Sequence, residues 1–277
     1  MRRSLYTVGT VLVMGAAAMA GPASAAETQS QASLSVLHAV PDLTVDVYVN
    51  GALTLDDFTP GQLAGPLPLP AGNYQLAVTA ADAPDASAPV IGPVDVTLEA
   101  GGNYTATANL DAAGNPTANF YTNDVSPVEA GKARLTVRHV AAAPAVDVLA
   151  GGAPIVPNLS NPGEASLSTA PGTVSAAVAA AGTTEPVIGP ADLNLAEGTS
   201  TIVYAWGSLE GGNLALATQV IEGLQSTPGA VPGGQSGLAA QSAENNDGAA
   251  LGLGLGALLL ALLGGAAVAG RRRTARA

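Results

Sequence analysis

From residue 31 onward, apolar and polar positions alternate with a period of two. Leu34, Val36 and His38 fall on one side of such a pattern, and Ser35, Leu37 and Ala39 on the other. Val45, Val47 and Val49 then alternate with Asp46, Tyr48 and Asn50. A period of two predicts β-strands. Asn50-Gly51 closes this stretch with a favoured hairpin dipeptide, because both residues tolerate positive φ. Further turn signals stand at Ala100-Gly101-Gly102, Ala113-Gly114-Asn115, Gly151-Gly152 and Glu210-Gly211-Gly212. No helical period of useful length appears between the ends. Two uninterrupted apolar runs, residues 5–20 and 249–270, break the pattern and ask for a different explanation.

The pattern repeats. Leu34, His38, Val45, Asp46 and Val47 return 101 residues later as Leu135, His139, Val146, Asp147 and Val148. Pro89-Val90-Ile91-Gly92-Pro93 returns intact as Pro186-Val187-Ile188-Gly189-Pro190, now 97 residues later. The glycine turns Ala71-Gly72 and Pro171-Gly172 also correspond. Order and identity together predict a duplication. The expected architecture is all-β, with two tandem immunoglobulin-like sandwiches over residues 31–122 and 132–222, each of roughly seven strands. Leu98 to Tyr104 is similar to a tyrosine-corner turn. Residues 223–248, rich in Gly, Pro, Ser, Gln and Asn, read as a disordered stalk with a reach of roughly 25–30 Å.

Composition changes the picture at the ends. Only 11% of the 277 residues are charged, against about a quarter in an ordinary soluble domain. Six of the nine basic residues sit at the termini, so residues 27–247 hold three basic against 21 acidic side chains, a formal charge of −18. That balance excludes a nucleic-acid footprint. Arg2 and Arg3, the apolar run and Ala23-Ser24-Ala25 predict a secretory signal over residues 1–25. Residues 249–270 hold 22 positions without charge or proline, about 33 Å as a helix and enough to cross a bilayer. Arg271, Arg272 and Arg273 then predict that residues 271–277 face the cytoplasm, giving a single-pass type I membrane protein with its acidic body outside. This tail resembles a bacterial cell-wall sorting signal. Leu238-Ala239-Ala240-Gln241-Ser242, however, lacks the cleaved Thr-Gly pair, which favours membrane retention over attachment to the wall after tail processing. With no cysteine, disulfides and thiol chemistry are excluded.

His38-Ala39-Val40-Pro41-Asp42, followed by Val45-Asp46-Val47-Tyr48 and Asn50-Gly51, is similar to a bacterial surface family catalogued as domain of unknown function 4397. The resemblance runs over residues 34–221 and is clearest at residues 36–51. The second copy departs from it, with Ala141-Ala142-Ala143-Pro144 in place of Val40-Pro41-Asp42. The resemblance implies an exported immunoglobulin-like β-domain and brings neither an established activity nor catalytic residues.

Few residues suit chemistry. His38 and His139, the only histidines, each precede Asp46 or Asp147 by eight residues. Such a pair serves either as a His–carboxylate dyad or as a cross-strand hydrogen bond of the framework. Duplication of the constellation favours the framework, and no G-x-S-x-G nucleophile motif accompanies it. Asp56-Asp57, Asp82 with Asp85, and Asn123-Asp124 offer oxygen ligands to calcium, without a closely alternating carboxylate loop. Phe120-Tyr121 and Tyr204-x-Trp206 place ring pairs near a surface. Lys132, Arg134 and Arg138 share one face of the strand that opens the second copy. They are expected either to hold the domains at a fixed angle or to meet a partner. The expected function is non-enzymatic binding, adhesion or an envelope structural role without a cofactor, exerted on an envelope or extracellular ligand. The alternatives are an envelope hydrolase using a His–Asp pair and a calcium-stiffened surface spacer.

Overall fold

The alternating stretches become strands. A computed structural model describes residues 31–226, which contain sixteen strands and, among the described residues, no helix. The expected signal peptide (1–25), membrane helix (249–270), basic tail (271–277) and most of the expected stalk lie outside the described residues.

The first eight strands are β1 (Gln31–Ala39), β2 (Val45–Val49), β3 (Ala52–Phe58), β4 (Leu63–Pro70), β5 (Gly72–Ala80), β6 (Ile91–Leu98), β7 (Asn103–Leu110) and β8 (Pro116–Thr122). They form two four-stranded sheets, ordered β4-β1-β7-β8 and β3-β2-β5-β6. Pairing is antiparallel except between β1 and β7. The next eight are β9 (Ala133–His139), β10 (Val146–Ala150), β11 (Ala153–Leu159), β12 (Glu164–Thr169), β13 (Gly172–Ala180), β14 (Pro186–Leu195), β15 (Ser200–Trp206) and β16 (Ala215–Ile221). Their sheets, β12-β9-β15-β16 and β11-β10-β13-β14, have the same order once eight is added to each strand number, and β9 and β15 are again the parallel pair.

Each half therefore holds eight strands rather than about seven. β4 is the strand that alternation does not reveal. Its sequence carries Pro66, Pro68 and Pro70, which erase a strand signature. β4 lies at the edge of its sheet and pairs on one side only, with β1, so alternate residues need no ladder donor. Asn50 and Gly51 form the expected hairpin turn, both at positive φ (49° and 77°). The tyrosine corner is also present in outline: Tyr104 is buried and its hydroxyl accepts the N–H of Glu99 at 3.1 Å. Tyr104 stacks on Phe120 with ring centroids 5.2 Å apart, so Tyr104→Phe preserves packing and removes only the hydrogen bond. A loss of about 1 kcal/mol in urea denaturation is expected; an unchanged midpoint would mean that the bond contributes nothing net.

Leu34, Val36, Val45, Val47 and Val78 belong to the core of the first sandwich, and Leu135, Val137, Val146, Val148 and Val178 to that of the second. Yet β1, β7, β9 and β15 are buried on both faces. The reason is a third contact. Leu37, Ala39 and Tyr121 of the first sandwich cluster with Val140, Ile202 and Tyr204 of the second. The inner sheets β4-β1-β7-β8 and β12-β9-β15-β16 thus pack face to face, and both sandwiches form one compact unit. Each large apolar side chain buried there contributes about 1.5–3 kcal/mol relative to exposure. Residues 223–226, assigned to the stalk by composition, run beside the linker between the sandwiches. Leu224 is buried, its carbonyl accepts the N–H of Val128 at 2.6 Å, and Ser226 donates to Val128 at 3.0 Å.

Candidate functional site

The two histidines sit at the ends of β1 and β9, on the core side, and are almost fully buried. His38 Nε2 donates to the carbonyl of Leu43 at 2.6 Å, and His139 Nε2 donates to that of Pro144 at 3.0 Å. The ring of His38 also packs against Phe58, 5.9 Å between centroids. His139 Nδ1 accepts the N–H of Ala141 at 3.3 Å, which specifies the neutral Nε2–H tautomer. The aspartates lie elsewhere. Val45 and Val47 face the core, so Asp46 between them points to the far side of its sheet, and Asp147 repeats this placement. Asp46 accepts the N–H of Asp57 at 2.9 Å; Asp147 accepts those of Asn158 at 2.7 Å and Gly182 at 2.8 Å. The expected His–Asp contact, as dyad or as cross-strand bond, does not form. β1 and β2 are consecutive in sequence but enter opposite sheets of the sandwich. The histidines instead hold loop carbonyls, and the aspartates hold backbone N–H groups of the edge strands β3 and β11, with Asp147 also holding the turn at Gly182.

Burial lowers the pKa of His38 and His139 below the ordinary 6.5, outweighing the raising effect of their carbonyl acceptors. The unfolded chain then binds more protons than the folded one as pH falls through about 6.5. Stability contributed by the neutral rings is complete above that value and is lost progressively toward the lower folded pKa. The melting temperature is expected to decline from about pH 7 to about pH 5. Replacing both histidines by glutamine should flatten that decline; an unchanged slope in the double variant would remove them as its cause.

The basic cluster splits into three environments. Lys132 lies exposed just before β9, and among the described residues it makes no ion pair. Arg134 reaches back to the linker, where it pairs with Asp124 at 3.2 Å and donates to the carbonyls of Asp124 and Ser126 and to the Ser126 hydroxyl. The Ser126 hydroxyl and N–H, more than Arg134, hold the Asp124 carboxyl below its usual pKa. Arg138 is only 1% exposed and lies between the sandwiches. Its guanidinium sits 4.2 Å above the Tyr121 ring of the first sandwich and 5.5 Å from that of Tyr204. Nε donates to Glu164 at 2.8 Å and Nη1 to the Tyr204 hydroxyl at 2.9 Å. The acid it meets belongs to its own sandwich, and what it takes from the other one is an aromatic face.

From Arg138 the polar contacts continue across the interface. The Tyr204 hydroxyl donates to Gln219 Oε1 at 2.6 Å, and Thr105 donates to the same oxygen at 3.0 Å. Gln219 Nε2 donates to the Ser35 hydroxyl at 3.2 Å. At the rim, Asn161 donates to the carbonyls of Leu110 and Ala141 at 2.9 and 2.6 Å, and Tyr121 to that of Pro162 at 2.9 Å. Desolvation between the sheets raises the pKa of both Tyr121 and Tyr204, so they remain neutral donors. The ring pairs noted in the sequence are thus divided: Phe120 enters the first core, whereas Tyr121, Tyr204 and Trp206 line the interface, Trp206 against Gly61. Ser35, Thr105 and Gln219 were not distinguishable as site residues, because polar groups on the second face of an alternating strand normally meet water. Two clefts flank this contact. One of about 220 Å³ is lined by Asp124, Thr136, Arg138, Glu164 and Ser166; another of about 400 Å³ lies between Ser35, Pro66, Asn103, Gln219 and Glu222.

Residues 32–149 match the family described as Domain of unknown function (DUF4397). The match takes in nearly all of the first sandwich and continues through β9 into β10. No curated protein matches the chain.

Proposed function

From the premise of a domain family without an assigned activity, we propose that the chain is an exported, membrane-anchored surface protein with a non-enzymatic binding, adhesion or structural role. In this reading two tandem immunoglobulin-like copies of one domain, born of a duplication, stand outside the membrane on a short stalk. The single observation that carries it is the buried network from Arg138 to Ser35. Such an interface turns two sandwiches into one stiff body, which suits display or spacing at a cell envelope. The shared strand order of the halves supports the duplication, and the acidic balance supports solubility outside the cell. A hydrolase would require His38 and Asp46 to meet, and each is held instead on a separate backbone group.

The topology is tested by adding protease to intact cells that carry one epitope inserted between residues 227 and 248 and another after residue 277. Loss of the first and survival of the second is expected; protection of both would overturn surface display. Capture of an envelope component by the purified chain then separates binding from a purely structural role.

A further inference from the structure

Asp46 and Asp147 hold equivalent places in the two sandwiches, yet their carboxylates are satisfied differently. Asp147 accepts one backbone N–H on each oxygen, from Asn158 and Gly182. Asp46 is also buried, at 3% exposure, but among the described residues it accepts only the N–H of Asp57, on Oδ1. A β-bulge surrounds each aspartate. Val45 pairs with Phe58 and Val47 with Leu55, so Asp46 alone opposes both Asp56 and Asp57. The same bulge in the second sandwich sets Asp147 against Pro157 and Asn158, which carry no charge. One carboxylate oxygen from each of Asp46, Asp56 and Asp57 lies within 4.8 Å of the others.

A second observation is independent of the acids. Thr79 pairs directly with Asp46 across β2 and β5, which places both side chains on one face of the sheet. Thr79 is 0% exposed, and among the described residues its Oγ1 has no hydrogen-bond partner. Opposite Asp147 the corresponding residue is Ala179, which needs none. A buried hydroxyl without a partner, beside a buried carboxylate with a free oxygen, calls for a third group that binds oxygen.

We propose that Asp46, Asp56, Asp57 and the Thr79 hydroxyl form a binding site for one divalent cation, calcium by its chemistry. The donors are all oxygen, which selects a hard cation over zinc. Two of the carboxylates lie on an exposed edge strand, β3, where water can complete the shell. Calcium accepts such an irregular shell, whereas magnesium demands near-octahedral geometry. The site belongs to the first sandwich only, so the stoichiometry is one. It goes beyond the surface role proposed above and does not depend on it.

The purified full-length chain, stripped with chelator, is melted with and without about 5 mM calcium or magnesium chloride and titrated calorimetrically. A higher melting temperature in calcium, reversed by chelator, and one ion per chain are expected. Asp56→Asn with Asp57→Asn should abolish the shift while the metal-free melting temperature stays close to that of the native chain. Thr79→Val, nearly isosteric, should weaken calcium binding at least ~10-fold without unfolding the chain. Absence of a shift in the native chain, or a shift that persists in the double Asn variant, overturns the site and assigns any bound ion to the acidic surface at large.

Discussion

Truncating Arg138 to alanine is expected to destabilise the chain by about 3 kcal/mol, from lost packing, a lost charge-assisted hydrogen bond and a lost cation–π contact. The side chain is buried between Tyr121 and Tyr204, so its removal opens a cavity where the two sandwiches meet. The cost stops short of the upper range for breaking a buried ion pair. Glu164, the partner carboxylate, is 44% exposed and regains water when Arg138 is lost, so no charge is stranded. Arg138→Lys keeps the charge but lacks the planar fork that serves Glu164 and Tyr204 together, so it should recover little of the loss. Lys132→Ala should be neutral, and Arg134→Ala should cost about 1–2 kcal/mol, because its carboxylate partner Asp124 is 57% exposed while its hydrogen bonds to the linker are lost. Urea denaturation followed by tryptophan fluorescence reads all four, since Trp206, the only tryptophan, lies in the interface cluster. In Arg138→Ala the single transition should broaden or split as the sandwiches part before they unfold. An unchanged midpoint for that variant would show that the apolar cluster alone joins the halves.

Gly92→Ala and Gly189→Ala should each cost about 2–3 kcal/mol, and by similar amounts. Both glycines stand at positive φ, 89° and 86°, within the five-residue block that the two halves share. A Cβ at Gly92 would come 2.7 Å from the carbonyl oxygen of Leu76, and one at Gly189 would come 2.9 Å from that of Ala176. The obstacle is backbone of the neighbouring strand, β5 or β13, which cannot rotate aside. Gly51→Ala is the control. It shares the left-handed conformation, at φ 77°, but a Cβ there meets nothing within 4 Å, so only the conformational cost of about 1 kcal/mol applies. If Gly92→Ala proved no worse than Gly51→Ala, β5 and β6 would have to be looser than their pairing implies. The recurrence of Val-Ile-Gly-Pro, visible in the sequence as identity, thereby acquires a steric reason.

The elements that local chemistry encodes were legible. Alternation at Leu34, Val36, Val45 and Val47 marks strands because successive side chains of an extended backbone point to opposite faces. Asn50-Gly51 marks a hairpin because positive φ is tolerated there. The histidine–aspartate spacing was legible as a repeat but not as a contact. Eight residues separate the members of each pair, while the route of the chain sends β1 and β2 into opposite sheets. No local pattern carries that information.

By itself, then, the sequence determined an all-β body and the places where its chain turns, since each depends on residues close together along the chain. Only the tertiary structure decided which polar side chains are buried. Ser35, Thr105, Arg138 and Gln219 lie on faces that an isolated sandwich would give to water, and they are buried because a second sandwich covers them. The same holds for Asp46, whose neighbours Asp57 and Thr79 come from different strands and meet it through a bulge and a register. Burial of a polar group depends on what packs above it, and that partner comes from a distant part of the chain.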